Sequence, residues 1–201
     1  MTLKLPEIRI QSSWLLEPVS RKLAGRKAKS RAYYPSKSVV EKKIKLFERI
    51  WRKHETKLLR AMCRKLNLQF YQNVIDVYVL PYWYVMGMSK PLIISARIKK
   101  ADRFVDLLTH ELVHRLLSDN TRKLRVGKIF NKMFRGKSLA TRNHILVHAT
   151  LKYLWLEVLK EDYRLERDIM VCQKYSSYKA AWQYVEKEGY DEIIQNFKRQ
   201  Y

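Results

Sequence analysis

Apolar residues recur with a helical period through the first half of the chain. Val40, Ile44, Phe47, Trp51, Leu58, Met62 and Leu66 follow steps of three, four or seven, which predicts one apolar stripe on a helix of about seven turns. Ser38 and Glu41 have the spacing of a capping box at its start. His54 falls on the stripe and reads as a core or boundary histidine. After Leu66 the period shortens. Residues 73–80, NVIDVYVL, read as a strand; 82–86, YWYVM, form a second candidate between Pro81 and Gly87. A third, 92–95, follows Pro91, which suggests an edge strand.

The helical period returns at Ala101. Phe104, Val105, Leu108, Leu112 and Leu116 share an inward face up to about Leu117, and Ser118-Asp119-Asn120 stops the helix. Within 121–142, Val126, Ile129, Phe130, Met133 and Phe134 recur at helical spacing and Gly136 fits a C-cap. A further helix is expected over 143–159. One or two more follow, with Gly189 as a break. No internal repeat or low-complexity tract is present. The pattern predicts an α+β fold with a small mixed sheet, an edge strand and several helices.

Composition sharpens this. The 201 residues are 47% hydrophobic with five Gly and five Pro, enough for a core and suited to long helices with few turns. The formal charge of +23 and pI near 10.1 attract polyanions, most obviously nucleic acid; an inert basic surface is the alternative. The cations cluster. Residues 21–31 hold six and no acid, as in a flexible basic arm or a solvated tail. Arg122, Lys123, Arg125, Lys128, Lys132, Arg135, Lys137 and Arg142 fall in 121–142, again without an acid. That segment is expected to be apolar on one side and basic on the other. Residues 1–37 are expected to be a largely irregular arm, 38–161 the main domain and 162–201 a helical extension. Cys63 and Cys172 are far apart and read as small buried hydrophobes in a reducing compartment inside the cell. The first residues lack a signal-peptide run, and no stretch approaches the roughly 20 apolar residues of a membrane span.

The chemistry lies in the histidines. Four of the five form two pairs, His110/His114 and His144/His148, each spaced i, i+4 on an expected helix. Such residues share a face, so both imidazoles can reach one metal, and zinc favours that donor. The first pair frames His110-Glu111-Leu112-Val113-His114, an HExxH motif: two metal ligands, with Glu111 as general base toward the water that zinc activates. A third ligand and an open position are needed. Leu117 and Asn120 stand where a metzincin has Gly and His. His148, mid-helix among apolar residues, is the first choice; His144 is second and Glu157 third. His144 could instead contact a transition-state oxyanion, or be a packed polar residue. Asp106, one turn before His110, could orient that ring or be an exposed acid.

These residues resemble the compact zincins, especially SprT-like proteins and minigluzincins, over about 38–161. The resemblance implies a zincin-like domain and a zinc-dependent endopeptidase. It also implies that an extended peptide substrate pairs with edge strand 92–95, and that the proteins cut are bound to DNA, in keeping with the charge. SprT-like members use a third His, minigluzincins a Glu. The rival is a nucleic-acid-binding protein with a structural or vestigial zinc site; a latent enzyme blocked by its own tail is a third possibility. Peptide or protein substrate and nucleic acid are the expected partners, with no membrane.

Overall fold

A computed structural model describes residues 3–29 and 34–201. The elements in chain order are β1 (Glu7–Gln11), α1 (Glu17–Ala24), a short 3-10 turn (Gly25–Lys29), α2 (Lys37–Arg52), α3 (Glu55–Leu66), β2 (Val74–Leu80), β3 (Gly87–Ser89), β4 (Leu92–Ser95) and α4 (Ala101–Asp119). Then come α5 (Thr121–Leu124), α6 (Val126–Met133), α7 (Leu139–Tyr153), a π-helical turn (Leu154–Leu159), α8 (Asp162–Cys172), α9 (Ser176–Glu188) and α10 (Tyr190–Lys198). This is a mostly helical α+β chain with one small mixed sheet. No helix among the described residues is long and apolar enough to cross a membrane.

The chain divides into two compact units, and α4 runs from one into the other without a break. The first spans Leu5–Thr56 and Gln72–Leu112 and contains the sheet, in the order β1-β2-β4-β3. β1 and β4 flank β2 in parallel; β3 runs antiparallel to β4 at the edge. All four residues of β4 are buried, as in a strand covered on both faces. Phe47 of α2 stacks on Phe104 of α4 at 4.2 Å between ring centroids. The Lys43 ammonium donates to the carbonyls of Ala96 (2.5 Å) and Ile98 (2.8 Å), which ties α2 to the segment leading into α4.

Several expectations change here. Within the segment 1–37, the described residues 3–29 do not form an irregular arm. Ile8 and Ile10 are buried on alternate positions of β1, which pairs with residues 74–78; most of the basic run lies on α1 and the following turn, and Ser30 and Arg31 lie outside the described residues. The long helix is two helices, broken at Lys53 and His54. Glu55 there pairs with Arg52 at 2.5 Å and accepts from the Ile8 amide at 3.4 Å, so the break serves β1. Residues 82–86 form no strand, because Arg97 takes the Trp83 carbonyl at 2.9 Å and stacks on Tyr82. Strand 92–95 is internal, and the edges are β1 and Gly87–Ser89. Pro91 precedes the first paired residue, so its missing N–H costs no ladder bond.

The second unit, mainly Lys57–Tyr71 and Val113–Tyr201, is helical. Residues 162–201 are not an appendage: Trp182 and Val185 of α9 and Ile193, Ile194 and Phe197 of α10 are buried in the same unit as α7. Gly189, at φ 80°, breaks α9 from α10 where the sequence expected it.

Candidate metal centre

Helix α4 carries the HExxH segment because its apolar face is continuous: Phe104, Val105, Leu108, Leu112, Val113 and Leu116 are fully buried. His110 and His114 therefore sit one turn apart on one face, both half-buried. Asp106, a further turn back, is buried rather than exposed.

Helix α7 brings the remaining histidine of the group. Ser138 caps it, its hydroxyl accepting from the Thr141 amide at 3.2 Å, and so sets where the helix starts. His144 follows in the second turn. Its Nδ1 lies 2.7 Å from the Ala140 carbonyl. A carbonyl only accepts, so Nδ1 carries the hydrogen and Nε2 is left with the lone pair. The His144 ring meets His114 edge-on at 4.8 Å between centroids. The ligand atoms of His110, His114 and His144 all lie within 4.8 Å of one another. Four donors around zinc, at bonds of about 2.0–2.1 Å, stand about 3.3 Å apart, a difference that side-chain rotation covers.

The third histidine brought to the pair is thus His144, and the first choice, His148, goes elsewhere. It is fully buried one turn on, with its ring stacked on Trp182 at 4.6 Å, and it groups with Asp168 and Cys172. Its apolar neighbours in sequence signalled burial against α8 and α9, not proximity to the HExxH pair. Glu157 is exposed and accepts from the Tyr190 hydroxyl at 3.0 Å.

Burial sets the charge states. His114 is pushed down to about 3, first by burial and then by His144. His144 is lowered by burial, against the opposing pull of the Ala140 carbonyl. These effects leave neutral rings with lone pairs to give near neutral pH. Glu111 is pushed up to about 8 by burial, so in the metal-free cleft it is mostly protonated near neutral pH, and a cation beside it would lower it.

Gly87 positions that carboxylate. A Cβ on Gly87 would stand 2.6 Å from Glu111 Oε1 and 2.9 Å from Leu107 Cδ1. The backbone of edge strand β3 thus runs against the acid because position 87 has no side chain. Both clashing atoms end flexible side chains, so Gly87→Ala is expected to fold with Glu111 displaced, leaving any metal held by the histidines in place and lowering any hydrolysis that depends on Glu111 about 10-fold or more. Melting temperature, metal content and hydrolysis rate measured on one preparation check this.

The basic segment has the expected two sides. Arg122, Lys123, Arg125, Lys128, Lys132, Arg135 and Lys137 are all exposed. Val126, Ile129, Phe130 and Phe134 are buried, and Phe130 packs on Phe197. Sequence reasoning missed Gly87 and also Tyr178, whose ring stands edge-on to His144 at 4.1 Å. Neither carries a local signal, since both reach the centre through pairing of distant elements. Comparison with protein-family models, with curated proteins and with solved structures found no match.

Proposed function

We propose that the chain is a zinc-dependent endopeptidase of the zincin class, with His110, His114 and His144 as ligands and Glu111 as general base. The observation that carries this is the trio of histidine donors within 4.8 Å, with Glu111 on the same helix as two of them. The donor set fits zinc: three nitrogens, with the His114 and His144 rings kept neutral by burial, and a fourth position left for water, as catalytic sites require. Bound zinc supplies Lewis acidity toward a water and a peptide carbonyl.

The chain's residues supply the rest. Glu111 takes the proton of the attacking water and delivers it to the departing amine. Ala140 holds the His144 tautomer, and buried Asp106, one turn before His110 on α4, would do the same for His110. With His144 a ligand, Tyr178 beside it becomes the candidate oxyanion donor. Substrate pairs in extended form with β3, an edge of the sheet, rather than with 92–95. Two buried cysteines that are not joined in a disulfide suit a reducing compartment inside the cell.

The test is metal removal. Zinc-loaded protein is expected to cut an unfolded protein substrate, to lose more than about 90% of that activity on chelation, and to regain it with added zinc. Hydrolysis that survives metal depletion, or none from zinc-loaded protein, would overturn the reading.

A second element rests on the seven exposed cations in and around α5 and α6. They lie on the connection between the helices that bear His114 and His144, where they would hold nucleic acid bearing a protein substrate. Changing Lys128, Lys132, Arg135 and Lys137 to Gln is expected to weaken binding to all sequences alike. The log–log salt slope should become shallower by roughly one for each phosphate no longer neutralised. Titration of DNA and RNA at two salt concentrations reads both; an unchanged slope removes this element and leaves the peptidase.

A further inference from the structure

A second group of metal-binding side chains lies in the helical unit, apart from the HExxH helix. His148 of α7 and Asp168 and Cys172 of α8 offer one nitrogen, one oxygen and one sulfur, all within 4.8 Å of one another. The Cys172 Sγ is 4.0 Å from His148 Nε2 and 3.9 Å from Asp168 Oδ2. A nitrogen or oxygen donor and a sulfur donor around tetrahedral zinc stand about 3.5 Å apart when the bonds are about 2.0 Å to nitrogen or oxygen and 2.3 Å to sulfur. The group is thus within about half an ångström of a coordination shell at these two edges.

The surroundings fit a held ion. Asp168 and Cys172 are spaced i, i+4, so one face of α8 presents both. His148 is fully buried and Cys172 nearly so. The Trp182 indole N–H donates to Asp168 Oδ2 at 3.2 Å while its ring covers one face of His148 at 4.6 Å. One side chain from α9 thereby orients two of the three donors, the service that outer partners give metal ligands.

We propose that His148, Asp168 and Cys172 form a second zinc site, structural in role, which fastens α8 to α7. Its thiolate donor selects a soft or borderline divalent ion such as zinc over magnesium or calcium. Cys172 would give up its proton to solvent on binding, leaving a thiolate donor beside the His148 nitrogen and the Asp168 oxygen. The site is independent of the proposed peptidase activity, since it uses none of His110, Glu111, His114 or His144.

Cobalt(II) titration of the full-length, metal-free protein tests this, because a cobalt–thiolate bond gives a near-ultraviolet charge-transfer band that imidazole ligands do not. Wild type is expected to take up about two equivalents and to develop the band with one of them. Cys63→Ser should keep the band, and Cys172→Ser should lose it along with one equivalent. Asp168→Asn, a change of nearly equal volume, should weaken that equivalent at least about 10-fold while leaving the thiol in place. His114→Ala should lose the other equivalent and keep the band, so failure of the three-histidine centre is read separately. No thiolate band in wild type at saturating cobalt, or a band that Cys63→Ser abolishes, overturns the second site.

Discussion

Replacement of Glu111 by Gln is expected to abolish hydrolysis while sparing the metal. Glu111 is not a ligand in this arrangement, so occupancy of the three-histidine centre should stay near wild type. The amide cannot accept a proton, so the general-base contribution of about 10²–10⁴-fold disappears. The same substitution has a stability signature in the metal-free protein. Glu111 sits at about 8 in the fold, raised by burial from its ordinary 4.5. Between those values the native chain binds more protons than the unfolded one, so this group favours the fold most below pH 4.5 and progressively less as pH rises toward 8. The loss at pH 8 is on the order of 4 kcal/mol. Metal-free Glu111→Gln should therefore melt higher than metal-free wild type at about pH 8, and the gap should narrow toward about pH 5. A bound cation in the cleft stabilises the carboxylate and should shrink the gap. Calorimetry with and without zinc measures this directly.

The second large effect separates the two histidines of α7. His144→Ala should lower zinc affinity at the active centre by more than about 100-fold, beyond the 10–100-fold typical of an outer partner. His148→Ala should leave that affinity within about 10-fold and instead lose stability, because it removes a fully buried ring stacked on Trp182. Hydrolysis recovered against buffered free zinc reports the active centre alone and keeps the second site out of the measurement. If His148→Ala proves the more damaging to zinc affinity, the arrangement around α4 is different from the one described.

What the sequence carried was local. The HExxH helix was legible because its apolar period, its stop at residues 118–120 and its i, i+4 histidines all lie within about five turns of one helix. The two-sided α6 was legible for the same reason, and Gly189 because a positive φ favours glycine. The choice between His144 and His148 was not. It depends on how α7 is rotated about its own axis, and that rotation is fixed by Trp182 and Cys172, residues contributed by later helices. Strand β1 escaped notice because five residues with two buried isoleucines mean little until they pair with 74–78. Pro91 does not mark 92–95 as an edge, because it only precedes the first paired residue, Leu92. Gly87 is informative only once Glu111 is seen against it.

The most direct measurement of the centre is zinc K-edge absorption on Cys172→Ser protein loaded with about one equivalent of zinc, which removes the sulfur-bearing group from the signal. His110, His114 and His144 should appear as three imidazole shells with one further oxygen, and the white line should match four-coordinate zinc. A zinc with two or fewer imidazoles, or one closed by a fourth protein nitrogen with no oxygen, would contradict an open catalytic centre on helices α4 and α7.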